Sequence, residues 1–184
     1  MWYTVYRKIA RWCGWDGLKG TIIPDGFVLV QDSNEQHGLF EIGTHDGLVV
    51  AQKALSKPQW REAGAEGDYT VQGYESKIGI ERKVASDLVS YIGRERKKTD
   101  AKLARLAHMA ANGGFAALIV GLDESRLEKQ LRYTQITPEH VRGFLVKCRL
   151  MGIHVYCSKD RGRLRRFVLD HTTKAFKVLK AMEG

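Results

Sequence analysis

The sequence has no long apolar segment and only a few cysteines. Nowhere in its 184 residues is there a run of about 18 apolar residues, which a membrane-spanning helix needs. The N-terminal stretch also lacks the apolar core of a signal peptide. Its three cysteines, Cys13, Cys148 and Cys157, are an odd number without a CxxC pair, which argues against a disulfide framework or a zinc ribbon. We therefore expect a cytoplasmic chain that is not secreted and has no membrane partner.

Acidic residues are also scarce relative to basic ones. The chain has 30 lysines and arginines against 21 aspartates and glutamates, a formal net charge of +9. Lysine and arginine bind a phosphate backbone with release of its counterions, so a nucleic acid is the simplest partner for this excess. By charge alone, DNA, RNA, a membrane surface and an acidic protein all remain open.

The chain contains neither an internal repeat nor a low-complexity linker, and its length suits a single core. We divide it into a lead of uncertain structure, residues 1–25, and one domain, residues 26–184. Patterns of buried strands appear at 27–31, 48–50, 69–72 and 77–82. A loop is predicted around Ser56 to Pro58.

After the strand predicted at 77–82, the apolar residues recur with the period of an α-helix. Helices are predicted to begin near Ser86, near Thr99 and at Thr137-Pro138, and a last helix covers about 162–181 with Val178 on its apolar side. Short apolar runs at 115–121 and 153–157 are predicted strands. This order indicates an α/β sandwich in which a mixed sheet has helices on both faces.

Two acids and a lysine occupy predicted neighbouring strands. Asp68 begins one strand, and Glu81 lies in the next after twelve intervening residues. In a hairpin the two strands lie about 4.8 Å apart, so both carboxylates can meet. Lys83 shares a strand face with Glu81. Carboxylate oxygens suit Mg²⁺, and a lysine can orient water or stabilise phosphate charge. A solvated strand face is the alternative reading of this pattern.

The wider motif around these residues is more specific. Gly67-Asp68-Tyr69, Glu81-Arg82-Lys83 and then Asp87 appear in the order and spacing of GDY and ERKxxxD. In this respect the chain resembles the nuclease domain of the XPF family of structure-specific endonucleases, over roughly residues 27–160. The resemblance implies the restriction-endonuclease-like three-layer sandwich of the PD-(D/E)xK superfamily. Gly67 stands where many members have proline.

The resemblance extends upstream and downstream of this motif. Asp32 and Glu35 match the acids of a D-x-R-E signature, although Asn34 replaces its arginine, and strand 115–121 lacks the glutamate that the family has at its end. The implied roles are catalytic for Asp68, Glu81 and Lys83 and metal-ligating for Asp32, Asp68 and Glu81. Supporting roles fall to Glu35, Arg82 and Asp87, with Arg82 either contacting phosphate or pairing with Asp87. The predicted DNA contacts are Arg94, Arg96, Lys97 and Lys98.

The resemblance implies a Mg²⁺-dependent DNA endonuclease, with Mn²⁺ as a substitute ion, that acts on branched, flap or fork structures in repair or recombination. It further implies pairing as a homodimer or heterodimer through the late helices. The short length resembles stand-alone phage or bacterial relatives and suggests a cytoplasmic or nucleoid-associated protein. Two alternatives remain, a non-catalytic nucleic-acid-binding or partner module with the same fold and an RNA nuclease.

Overall fold

A computed structural model describes residues 21–35, 37–131 and 134–184. Most of the predicted N-terminal lead, residues 1–20, lies outside the described residues. The strands are β1 (Val28–Asp32), β2 (Gly43–His45), β3 (Leu48–Lys53), β4 (Tyr69–Val71), β5 (Ile78–Val84), β6 (Phe115–Gly121) and β7 (His154–Cys157). The helices are α1 (Pro58–Glu62), α2 (Ala85–Ile92), α3 (Arg96–Ala111), α4 (Leu127–Gln130), α5 (Pro138–Leu150) and α6 (Arg161–Glu183).

The strands form one mixed sheet of seven strands in the order β2-β3-β1-β4-β5-β6-β7. Strand β4 lies between β1 and β5 and is antiparallel to both, whereas β5, β6 and β7 run parallel to one another. Tyr69 pairs with Ile80, which confirms the predicted hairpin of β4 and β5. The chain turns at Gly73, whose φ of 83° is one that glycine adopts without strain.

Helices cover both faces of the sheet. On one face α6 packs through Leu164, Val168 and Phe176 against Ile78 and Ile80 of β5. On the other face α2, α3 and α5 enclose a second cluster that includes Leu103, Leu118 and Val141. Residues of β6 alternate between the two clusters, as the period-two geometry of a strand requires. The predicted α/β sandwich with a mixed central sheet is confirmed.

The structure contains elements that were not predicted, and one residue differs from its predicted burial. The segment predicted as a loop contains α1, which begins at Pro58 because proline fits the first helical turn. Strand β2 and the 3₁₀ turn and short helix at 124–130 were not predicted. Val178 is 60% exposed, so its predicted burial was wrong; it lies on the outer side of α6, whose inner side there packs through Phe176 and Leu179. No helix among the described residues is both long and apolar enough to cross a membrane.

Candidate active site

Asp68 is fixed at the junction of three central strands. Its backbone N–H donates to the carbonyl of Ile80 at 2.8 Å, and its own carbonyl accepts from the N–H of Asp32 at 2.8 Å. Its carboxylate Oδ2 accepts a hydrogen bond from the Arg82 N–H at 2.7 Å. The residue just before β4 is therefore joined to β1 and β5 through backbone bonds, and its carboxylate is held at the β5 edge.

Gly67 makes this close approach possible. Its φ is 95°, and a Cβ at this position would come within 2.8 Å of the Ile80 carbonyl. Residues with side chains rarely adopt such a φ, and this contact is too short for any of them. Proline, whose φ is fixed near about −65°, does not fit this backbone either.

Glu81 lies in the interior of β5 between two ammonium groups. Its side chain is fully buried, with Lys83 Nζ at 2.6 Å from one carboxylate oxygen and Lys102 Nζ at 2.5 Å from the other. Both lysine side chains are 20% exposed. The predicted shared face of Glu81 and Lys83 on β5 is confirmed, since both point toward the helix layer that contains α3.

Lys102 is the residue of this cluster that the sequence did not single out. It lies on α3, and only the packing of that helix over β5 brings it to Glu81. The available signal was the spacing of Lys98, Lys102 and Arg105, which places three cations on one stripe of the helix. The cationic stripe lies next to the apolar stripe of α3 that contains Leu103 and Leu106. The sequence does not show which strand the cationic stripe faces.

The pKa values of the two carboxyl groups, Asp68 and Glu81, are shifted in opposite directions. Burial, followed by the negative charge of Glu81, raises the pKa of Asp68 to about 7. Burial alone would also raise the pKa of Glu81, but the charges of Lys102 and Lys83 outweigh it and hold that pKa below its usual range. Glu81 in turn raises the pKa of Lys83, against the effect of its burial. A carboxyl with a strongly shifted pKa at the wall of a cavity is typical of a functional site.

A cavity of about 220 Å³ opens in front of Asp68 and Lys83. Five residues of the predicted site contribute to its wall, and Asn34, at the arginine position of the D-x-R-E signature, lies there too. The lining residues are Asn34, Glu35, His37, Asp68, Arg82, Lys83, Val84 and Asp87. Glu81 lies behind this wall, and its ion pair with Lys83 connects it to the cavity.

Arg82 pairs with Glu35 across the cavity. Its Nη1 lies 2.9 Å from Glu35 Oε1 and donates to the carbonyl of His37 at 3.1 Å. The suggested partner, Asp87, instead accepts from the Ser86 hydroxyl at 3.4 Å in the first turn of α2. Of the two roles left open for Arg82, pairing with Asp87 is therefore wrong. Glu35 positions Arg82 because the segment after β1 folds back over β5.

Asp32 has a different environment from the other two acids. It is 6% exposed, and its Oδ1 accepts from the N–H of Leu55 at 3.1 Å and of Asn34 at 3.4 Å. These bonds stabilise the turn after β1, and Asp32 does not line the cavity. Among the described residues no three histidine, cysteine, aspartate or glutamate side chains lie close enough together to hold a metal ion. The metal-ligand roles of Asp32, Asp68 and Glu81 stay predictions.

The predicted DNA contacts lie on the surface around the start of α3. Arg94, Arg96, Lys97 and Lys98 are all exposed. Arg96 approaches Asp100 one turn later at 3.9 Å, with its side chain 76% exposed. Such exposed pairs contribute little to stability, so these cations are available to a ligand. Their role in DNA binding stays a prediction.

Comparison with known proteins identifies solved structures with a similar fold. No family model and no curated protein sequence matches the chain. The fold is similar to that of the XPF structure from Aeropyrum pernix, with a TM-score of 0.51 and 18% sequence identity over 79% of this chain and 59% of that one. A structure of XPF from Aeropyrum pernix in complex with DNA matches with a TM-score of 0.51 and 17% identity, over 84% of this chain and 66% of that one. The chain thus has the restriction-endonuclease-like α/β fold, and it spans 59% of the length of the first of these structures.

Proposed function

We propose that the chain is a metal-dependent endonuclease that hydrolyses DNA phosphodiester bonds. The observation that carries this proposal is that Asp68 and Lys83 line one cavity, with Glu81 ion-paired to Lys83 behind its wall. Acids and a lysine gathered in this way match what phosphodiester hydrolysis needs, charge neutralisation at the phosphate and an activated water.

The donor set fits Mg²⁺. This ion is usually bound through one or two carboxylates, with waters and substrate phosphates as its other ligands. Asp68 and Glu81 would hold it, Asp32 would assist from the end of β1, and Mn²⁺ would substitute for it. The ion would supply positive charge at the phosphate and acidify a bound water.

The chain's own residues have separate tasks in this proposal. Lys83 lines the cavity, and its ammonium group could orient the attacking water or stabilise charge on the phosphate. Asp68 is held in place by the Arg82 N–H, and Arg82 itself is held by Glu35. Lys102 contacts Glu81 from α3 and is a positioning residue for that carboxylate. Asp87 contributes negative charge to the cavity wall.

DNA is the proposed substrate because of the charge and the fold together. The net charge is +9, and one structure with a similar fold is a complex with DNA. A preference for branched, flap or fork DNA, as in repair or recombination, is proposed from the likeness to XPF alone. We further propose pairing through the late helices, since Val146 and Leu150 of α5 and Met182 of α6 are exposed apolar residues. Light scattering in solution would distinguish a monomer from a dimer.

One observation favours a second candidate, a DNA-binding module without catalytic activity. Both oxygens of Glu81 are ion-paired with lysines, which an incoming metal ion would have to displace. In that case the buried cluster would stabilise the fold and the surface cations would bind DNA.

Cleavage of labelled flap, fork and duplex DNA, with Mg²⁺ and then with EDTA, separates the two candidates. We expect Mg²⁺-dependent cutting that falls by about 100-fold or more in Lys83→Ala, since removal of one preorganised charge has effects of this size. DNA affinity should change little, and stability should fall by about 2 kcal/mol, as for removal of the other lysine on Glu81, with the chain still folded. The matched control is Lys129→Ala, an exposed lysine outside the predicted site and the predicted DNA contacts, which should keep most of the activity.

Two results would contradict the proposal. Tight DNA binding without cutting by the unaltered chain under any of these conditions would support the binding module. Equal loss of binding and cutting in Lys83→Ala would make Lys83 a phosphate contact only. Equal-length RNA and DNA strands in the same assay test the remaining possibility, an RNA nuclease.

A further inference from the structure

A second, larger cavity lies beside the proposed catalytic centre. Its volume is about 470 Å³, and its walls come from the α1–β4 connection, the start of β5 and the C-terminal half of α3. The volume falls in the range of ligand-binding cavities. We call it the α3 groove and define it by Arg61, Glu66, Lys77, Arg105 and His108, all of which line it.

The charge of the α3 groove is positive where a ligand would meet it. Among the described residues that line it, Glu66 is the one acid, and that side chain is 2% exposed beneath two arginines. Arg61 contacts both of its oxygens at 3.3 Å, and Arg105 contacts it from α3. The arginine side chains themselves are 38% and 48% exposed. A ligand in the groove therefore meets guanidinium groups rather than the carboxylate.

Lys77 adds a third cation to the wall of the groove. It is exposed, and its Nζ donates to the carbonyl of Asn112 at 3.0 Å, at the C-terminal end of α3. This bond leaves two of the three ammonium hydrogens for a ligand. With Arg61, Arg105 and Glu66, the fixed charges of the wall sum to +2, and His108 is an additional donor or acceptor.

The groove and the catalytic centre share two elements. Glu66 precedes Asp68 by two residues, and Arg105 follows Lys102 by three on the same stripe of α3. From Lys102 to His108 the helix rises about 9 Å, which corresponds to between two and three nucleotides at the 3.4 Å spacing of a DNA strand. Lys98, a predicted DNA contact, begins the same stripe one turn earlier.

We propose that the α3 groove binds the phosphodiester backbone of the DNA strand that enters the catalytic centre. This inference rests on the proposed function, and it names the path of the substrate. Arg61, Lys77 and Arg105 contact phosphates, and the buried Glu66 fixes the two guanidinium groups in position. A DNA strand bound along the groove would hold its next phosphodiester near Asp68 and Lys83.

The test measures DNA binding separately from cleavage. Lys83→Ala is the background, EDTA is present, and fluorescence anisotropy of a labelled single-stranded and a duplex oligonucleotide gives Kd as a function of salt. Into this background we place Arg61→Gln with Lys77→Gln, which keeps Arg105 on Glu66. The matched control, Arg126→Gln with Lys129→Gln, removes two exposed cations far from the groove in sequence.

We expect the groove variant to bind about 10-fold more weakly. For each phosphate that it no longer neutralises, the salt slope should fall by about 0.9 with duplex and about 0.7 with single-stranded DNA. The control should keep the affinity of the background. Lys77→Gln alone breaks only one surface hydrogen bond, so it should fold normally and show about half of the slope change. In the active chain the groove substitutions should raise KM more than they lower kcat.

An unchanged Kd and salt slope in both groove variants would overturn the proposal that the α3 groove binds the DNA backbone. The proposed nuclease activity would still stand if the unaltered chain cuts DNA. An equal loss of affinity in the control would also overturn it, because net charge alone would then explain the binding. If the unaltered chain neither cuts nor binds any DNA, the proposed function fails first and the groove fails with it.

Discussion

The two faces of strand β5 differ sharply in chemistry. On one face Ile78 and Ile80 are fully buried against α6, in a cluster that contains Val168 and Phe176. On the other face Glu81 and Lys83 alternate with them and form ion pairs beneath α3. Neighbouring residues of one strand thus belong to an apolar core and to a buried charge cluster.

This difference shows how the chain separates folding from chemistry. Burial of apolar surface on the α6 face stabilises the strand at about 25 cal/mol per Å². The ion pairs buried on the α3 face contribute less net stability, because the desolvation of the charges offsets much of their attraction. The apolar face therefore holds β5 in place. The charged face alone would not stabilise the position of this strand.

Ile80→Ala should have the largest effect on stability. Removal of a buried isoleucine side chain leaves a cavity and lowers the free energy of unfolding by about 3 kcal/mol. Urea denaturation followed by circular dichroism measures this loss. Val178→Ala on the exposed side of α6 is the control and should change it by less than about 0.5 kcal/mol. Similar losses in both variants would contradict the separation of the two faces.

Lys102→Ala should have an intermediate effect. Breaking a buried ion pair by removing one partner costs about 3–5 kcal/mol, but Lys83 remains on Glu81, so we expect a loss of about 2 kcal/mol. Lys102→Arg should restore most of it, and Lys97→Ala, exposed on the same helix, should leave stability unchanged. Equal stability of Lys102→Ala and the unaltered chain would mean that Lys102 does not hold Glu81 in solution.

Asp68→Asn should have the smallest effect, with the opposite sign. The pKa of Asp68 in the fold, about 7, is above its ordinary value. The folded chain therefore binds this proton more tightly than the unfolded chain does, and the ionised carboxylate becomes increasingly unfavourable as pH rises from about 4 to about 7. Asparagine removes that charge, although it is a weaker acceptor for the Arg82 N–H.

The rise of the pKa from 3.8 to about 7 sets an upper bound of about 4 kcal/mol on the gain. Loss of the charged acceptor of the Arg82 N–H offsets about 1.5–3 kcal/mol of it. The expected net gain is therefore about 1 kcal/mol above pH about 7, and it should vanish near pH about 4. Thermal unfolding of both chains in EDTA across this range measures the difference, in which the titrations of all other groups cancel. A variant less stable than the unaltered chain at pH 8 would show that Asp68 stabilises the fold.

Local patterns in the sequence predicted the strand half of the site. The alternation across 77–82 placed Glu81 and Lys83 on one face, and the hairpin with Asp68 followed from the turn at Gly73. The run at 115–121 matched β6 residue for residue. These features depend on near neighbours in the chain, so period and turn residues are enough to find them.

Long-range packing determines the remaining features. Lys102 meets Glu81 only through the placement of α3, and Arg82 meets Glu35 across 47 residues of sequence. Nothing in the motif indicates that Asp32 would bond to the N–H of Leu55. The short edge strand β2 and helix α1 were missed because three and five residues are too few to establish a period.

Gly67 has a consequence for the evolution of the site. Asp68 reaches β5 because Gly67 has no Cβ to meet the Ile80 carbonyl. Every substitution at this position adds that atom, so none of them is conservative. In a library randomised at position 67, selection for activity should recover glycine alone, although this residue has no side chain to take part in the reaction.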